Sequence, residues 1–372
     1  MRAVLLGTYI GDALAMPVHW YYDRAQLRRD FGQITTYEKP KTILPGSIMN
    51  LSSTSGAGRG SDDGNIVGTV ILHGKKEFWM RGAQYHYHQG GSPLFETFRR
   101  INFLKGENTL DMLVSRELLR SMISKGKYCE EDYRQRYIDL MTIPGRHNDT
   151  YAGSCHRIFF EAWAKGVPAA ECPSDDGENI ECIDGIVGVL PVILGNIGAP
   201  STKLRQELRS CIRVTRDAEK LTDYAMIYAS LLMGVLHGKD LREQVQEAGR
   251  KLNLDIFRSS IQQPDPMVTC YMAASFPGLL HYAFKYADSP AEALLSSTNV
   301  GGENVARGAL LGALMGAAHG LEGFPSHLKD GLHDGRAIRQ EIDDFVGMVK
   351  VCVARKRKEV VTKQKPLKFC RS

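Results

Sequence analysis

Four glycines at 308, 312, 316 and 320 fall one helical turn apart, and Gly7 and Gly11 repeat the same spacing at the start of the chain. A glycine inside a helix costs about 1 kcal/mol relative to alanine, so a stripe of them needs a compensating gain. That gain is close approach: without Cβ atoms one helix face admits another backbone, or a ligand, where an ordinary ridge would clash. Helix crossing and ligand binding both fit the stripe, and both require that residues 305–319 be helical.

The rest of the chain follows the same period. Apolar residues recur at helical spacing over 3–15, 109–123, 131–141, 153–165, 183–195, 204–214, 222–237 and 267–286 as well as 305–319, which predicts an all-α fold. Pro17 closes the first of these segments, and Gly126 and Gly320 follow two others, as helix stops should. Residues 40–92 differ. Ten glycines and the β-prone run Thr69-Val-Ile-Leu-His-Gly74 exclude a long helix there, and an irregular insertion of this length is expected to serve as a lid. With 372 residues and an ordinary hydrophobic fraction of 43%, one large domain over 1–350 is expected, followed by a basic tail at 351–372.

Charge and cysteine usage exclude several classes. The net charge of +5 is carried by the end of the chain: residues 350–372 hold a net +8 and the remainder −3, so the body gives no reason to expect nucleic-acid binding. A tail containing Arg355-Lys-Arg-Lys358 reads as a solvated end, with nuclear import or polyanion binding as the alternative. Eight cysteines, at 129, 155, 172, 182, 211, 270, 352 and 370, show no CxxC pair and read as reduced thiols of a cytoplasmic protein. Asp12 interrupts the apolar N-terminus, and no apolar run elsewhere is long enough to span a bilayer, so a soluble protein is expected.

Three segments carry a family resemblance. Gly7-Thr-Tyr-Ile-Gly-Asp-Ala-Leu-Ala-Met-Pro-Val-His19 is similar to the opening G-x-x-x-G-D-A-x-G-x-P-x-E of the ADP-ribosylglycohydrolases. Gly106-Glu-Asn-Thr-Leu-Asp-Met112, with two helices behind it, resembles that family's T-D-D-T segment. Residues 299–320, beginning Asn299-Val-Gly-Gly-Glu-Asn-Val-Ala-Arg307, resemble its closing N-x-G-G-D-x-D-T-x-G-A-x-x-G-A-x-x-G-A-x-x-G. The resemblance implies a compact orthogonal helical bundle that hydrolyses N- or O-glycosidic bonds of ADP-ribose with two magnesium ions in a central cleft. Magnesium wants hard oxygen ligands in near-octahedral geometry, and carboxylates supply both oxygen and charge. The ions would place the ribose hydroxyls and a water for displacement at C1″.

Against that pattern the charge is depleted. Glu107-Asn108-Thr109-Leu110 stands where the family has T-D-D-T; Glu303 replaces the first closing Asp; Val305 and Ala306 replace the second Asp and the Thr. The opening motif keeps Asp12 but has His19 in place of Glu, and Thr215-Arg216 occupies a Thr-His position. Asn108, Thr109 and Glu303 still offer oxygens to a metal, but too little charge to hold two divalent ions tightly, so magnesium binding is expected to be weakened or lost. Ser61-Asp62-Asp63-Gly64 is a competing register for the T-D-D-T segment, with Asp62 and Asp63 as the alternative ligands. Glu303 and Asp12 are then the candidate catalytic carboxylates. His19 and Asn304 are candidates for ligand contact, and Gly301-Gly302 could offer backbone N–H groups to an ADP phosphate or could simply form a tight turn.

Other constellations are weaker. His86 and His88 would share one side of a strand, but lack a third metal ligand nearby in sequence. His147, Asp149, Cys155 and His156 offer the parts of a Cys–His nucleophile system. Together with the substitutions above, His86-Tyr-His-Gln-Gly and His147-Asn-Asp-Thr-Tyr resemble the family branch that holds the jellyfish J-type crystallins and selenoprotein J. Three readings follow: a weakened or inactive hydrolase, an active one with a non-standard metal site, or a structural, crystallin-like protein.

Overall fold

A computed structural model describes residues 1–40, 70–71, 104–149, 152–175, 177 and 180–363. The candidates Asp62, Asp63, His86 and His88, and nearly all of the 40–92 insertion, lie outside the described residues. Among the described residues the elements are helical: α1 (Arg2–Ala15), α2 (Arg24–Phe31), α3 (Leu110–Lys125), α4 (Glu130–Thr142), α5 (Ser154–Ala164), α6 (Asp184–Gly195), α7 (Ser201–Ile212), α8 (Glu219–Leu236), α9 (Leu241–Lys251), α10 (Ile256–Gln262), α11 (Met272–Lys285), α12 (Pro290–Val300), α13 (Val305–His319), α14 (Ser326–Asp330) and α15 (Gly335–Lys363). One isolated antiparallel bridge joins Cys182 to Tyr271.

The glycine stripe resolves into helix crossing. A Cβ on Gly312 would sit 2.0 Å from the Gly7 carbonyl oxygen, one on Gly11 would sit 1.9 Å from that of Gly308, and one on Gly316 would sit 2.1 Å from that of Ala3. The pairing 3–316, 7–312 and 11–308 makes α1 and α13 antiparallel, backbone against backbone, with no ligand between them. Both helices are buried on every face from Ala3 to Ala15 and from Val305 to Gly316, so they form the axis of the bundle. No side chain could take the place of hydrogen at these crossings without separating the helices.

The other helices surround that axis. α3 packs on α6, and α15 lies across α3 and α1. Arg116 on α3 clamps α15 through both Glu341 oxygens, at 2.7 and 3.0 Å, a bidentate pair with a buried guanidinium. α15 extends from the packed body, where Ile338, Ile342, Phe345, Val346 and Val349 are buried, through residue 350 to Lys363. α11 begins later than the 267–286 periodicity predicts, because residues 267–271 run against α6's leading segment: Ile183 N–H donates to the Cys270 carbonyl, and Met272 N–H to that of Glu181.

Candidate functional site

The crossing places two carboxylates at the same end of the axis. Asp12 lies on the last turn of α1 and is fully buried. Its Oδ2 accepts from Asn108 Nδ2 at 2.8 Å and from Thr109 N–H at 2.9 Å; its Oδ1 accepts from Thr109 Oγ1 at 2.7 Å. Thr109 is the N-cap residue of α3 but makes no cap bond with its own side chain. The orphan N–H groups of α3 are instead met by carboxylates from elsewhere, Asp12 and also Asp149, whose Oδ2 accepts from Leu110 N–H at 2.9 Å. Burial pushes the Asp12 carboxyl up to about 6 despite the three bonds that favour its charge.

Glu303 forms the second cluster. Its Oε2 accepts from His19 Nε2 at 2.9 Å and Trp20 Nε1 at 2.8 Å, and its Oε1 accepts from Ala306 N–H at 3.1 Å. Burial works against the charge, but His19 and the other donors outweigh it and hold the carboxyl down at about 2. Trp20 reaches this position with a left-handed backbone, φ 63°, a conformation that costs an ordinary residue about 1–3 kcal/mol. Its N–H donates to the Gly302 carbonyl, so the turn after α1 and the turn before α13 hold each other.

The other predicted ligand contacts are engaged in that turn. Gly302 N–H donates to the Tyr21 carbonyl at 2.7 Å and Glu303 N–H to the Val268 carbonyl at 2.8 Å, while Gly301 N–H bonds Thr298. These N–H groups serve the turn itself and are not aimed at an open phosphate site. Gly301 and Gly302 have φ of +80° and +67°, and a Cβ on either would meet the Tyr21 or Val268 carbonyl oxygen, which explains both glycines. Asn304 Nδ2 bonds the Val18 and Thr298 carbonyls. Asn108 and Thr109 therefore meet Asp12, and Glu303 meets His19; the two clusters are linked through α1 and the turn that follows it.

Four residues of this region were not singled out from sequence: Trp20, Arg307, Asp111 and Asp184. Arg307 is fully buried on α13, donates to Ser297 Oγ and to the Ser297 and Gly301 carbonyls, and lies 5.0 Å above the Tyr282 ring. A lone arginine inside a Gly-Ala-Leu helix was its available signal. Asp184, an isolated acid heading an apolar helix, pairs with the buried Arg216 at 2.5 Å. Burial opposes the Arg216 charge, but the Asp184 carboxylate beside it outweighs burial. A cavity of about 20 Å³, room for one water, lies between Asp111, His156, Asp184, Thr215 and Arg216. His156 bonds Tyr137 through Nδ1 at 2.8 Å and faces Asp111 at 3.6 Å, whereas His147 bonds the Ile71 carbonyl. Cys155 stays beside His156 and bonds it, whereas Asp149 caps α3 and His147 lies apart, so the four parts do not form one group.

A family model described as ADP-ribosylglycohydrolase matches residues 1–358 of this chain. The chain belongs to the ADP-ribosylglycohydrolase family. Among its relatives is the ADP-ribosyl-[dinitrogen reductase] glycohydrolase of Rhodospirillum rubrum, 25% identical over 304 residues that span 79% of this chain and 95% of that protein. A solved structure titled ADP-ribosylglycohydrolase-related protein complex shares the fold, with a TM-score of 0.55 at 18% identity over 94% of this chain and 98% of that one. For an ADP-ribosylglycohydrolase family member, the all-α bundle is the expected fold. Among the described residues no helix is long and apolar enough to cross a membrane.

Proposed function

We propose that this chain is an ADP-ribosylglycohydrolase-family protein whose two-ion centre has given way to internally bonded pairs, leaving weak or no turnover of ADP-ribosyl glycosidic bonds. The carrying observation is the 2.9 Å contact between His19 and Glu303. By the resemblance the family carries an acid at each of these positions, and two acids brought this close would call for a cation between them. Here the pair is a histidine and a glutamate, which needs none. Asp12 supports the same reading, since both its oxygens already receive protons from Asn108 and Thr109. Magnesium requires several lone pairs turned toward it, and a carboxylate capping a helix has turned them elsewhere. On this reading the described residues do not suit two tightly held ions.

ADP-ribose or a related nucleotide is the ligand class to test. Incubating the purified protein with ADP-ribosylated protein substrates and measuring released ADP-ribose is expected to show traces at most. Robust release that disappears in Glu303→Gln would overturn the proposal.

One observation favours a second reading in which hydrolysis persists. Asp12 and Glu303 have environments that push their carboxyls apart, up to about 6 and down to about 2, the pattern of an acid–base pair sharing roles. That reading predicts a rate inflection near pH 6 that is lost in Asp12→Asn. A structural, crystallin-like role, suggested by the branch resemblance, is compatible with carboxylates spent on helix caps; scarcity in every tissue would count against it.

A further inference from the structure

The sulfurs of Cys182 and Cys270 lie 3.5 Å apart, with Cys182 Sγ donating its proton to Cys270 Sγ. Their segments are already held together by the bridge from Cys182 to Tyr271 and by the Ile183 N–H bond to the Cys270 carbonyl at 3.0 Å. We propose that Cys182 and Cys270 form a reversible thiol–disulfide pair, oxidised by low-molecular-weight disulfides of the glutathione type, that clips the segment supporting Glu303 to the start of α6.

The geometry asks little of the backbone. A disulfide needs its sulfurs at about 2.05 Å, so they must close by about 1.5 Å; the bridge pairs Cys182 with Tyr271, one residue from Cys270, so closure turns both cysteine side chains toward each other. Cys182 is buried and Cys270 half-buried, so Cys270 is the sulfur that a small disulfide meets first. The hydrogen bond to Cys270, and then burial, hold the Cys182 thiol well above its ordinary range, so Cys182 keeps its proton.

The exchange balances without further reagents. The Cys270 thiolate attacks one sulfur of the small disulfide, expelling one thiolate and leaving a mixed disulfide. Cys182, giving up its proton to solvent as it attacks, displaces the second thiol from Cys270 and closes the protein disulfide. Two protein thiols are oxidised and one small disulfide is reduced to two thiols. The position gives the bond a consequence. Cys270 lies two residues beyond Val268, whose carbonyl takes the Glu303 N–H, and Cys182 lies two residues before Asp184, the partner of Arg216. Oxidation would fix these two supports against each other and close a loop of 88 residues, which stabilises the fold by restricting the unfolded chain.

The test is incubation of the intact native protein with excess oxidised glutathione, alkylation of the remaining thiols, and mapping of non-reduced peptides. The expected result is a peptide joining Cys182 to Cys270, reversed by dithiothreitol. Alkylatable thiols then fall from eight to six, and thermal unfolding shifts upward by several degrees. Cys182→Ser is expected to trap glutathione on Cys270, and Cys270→Ser to leave Cys182 unmodified. The proposal fails if wild-type protein retains glutathione on Cys270 beside reduced Cys182. It fails equally if neither cysteine reacts, or if other cysteines link instead.

Discussion

Asp12 and Glu303 are two buried carboxylates at one end of the same helix pair, and each accepts three hydrogen bonds, yet burial wins at one and loses at the other. Asp12 is met by an amide, a hydroxyl and a backbone N–H, all neutral, and its carboxyl rises to about 6. Glu303 is met by His19 as well as by neutral donors, and its carboxyl falls to about 2. The bond count is equal, so the difference lies in the partner's charge. Of the partners that meet the two carboxylates, His19 is the one that lowers Glu303 most.

That comparison can be broken at His19. His19→Ala leaves Glu303 buried without its histidine partner, and a loss of about 3–5 kcal/mol is expected on urea unfolding, with the Glu303 carboxyl rising toward that of Asp12. A loss below about 1 kcal/mol would mean that Trp20 and Ala306 suffice. Next in size is Gly312→Ala, which places a Cβ 2.0 Å from the Gly7 carbonyl oxygen and should cost about 3 kcal/mol by forcing α1 and α13 apart. Because α1 carries Asp12 and leads into His19, both carboxylates should shift in this variant. If only one moves, the helix pair is not their common platform.

The pH dependence sharpens the contrast, because the two groups act in opposite directions. Asp12 has a raised folded pKa, so its contribution is fully present below its unfolded value of ~4 and is lost as pH rises through about 6. Glu303 has a depressed one, so its contribution is present above ~4.3 and is lost as pH falls toward about 2. Each is worth on the order of 3 kcal/mol across its window. Asp12→Asn should flatten the limb between pH 4 and 6, and Glu303→Gln the acid limb. Asp12→Asn also weakens the hydrogen bonds that cap α3, which costs about 1 kcal/mol, the smallest effect expected.

Much of this fold could be read before any coordinates. The periodicities at 3–15, 109–123, 183–195 and 305–319 correspond to α1, α3, α6 and α13, and the matched glycine spacings pointed to close backbone approach. α15 was harder to see, since the basic run at 355–358 obscured the apolar stripe from Ile338 to Val349 that packs it against the body. The substitutions at 19, 108, 109, 216 and 303 were each visible, but their pairing was not. His19 and Glu303 are 284 residues apart, and their contact depends on the register of the α1–α13 crossing. Asp184 as the partner of Arg216, and Trp20 with its left-handed backbone, likewise follow from three-dimensional placement that no local spacing encodes.

If His19 and Glu303 satisfy each other as proposed, the chain should hold magnesium weakly. Titrating magnesium into the purified protein by calorimetry, beside His19→Glu, tests it most directly. The account predicts no saturable binding below the millimolar range for the wild-type chain, and a gain of magnesium affinity in His19→Glu, where two carboxylates face each other again. Two saturable sites of micromolar affinity in the wild-type chain, unchanged by the substitution, would contradict it.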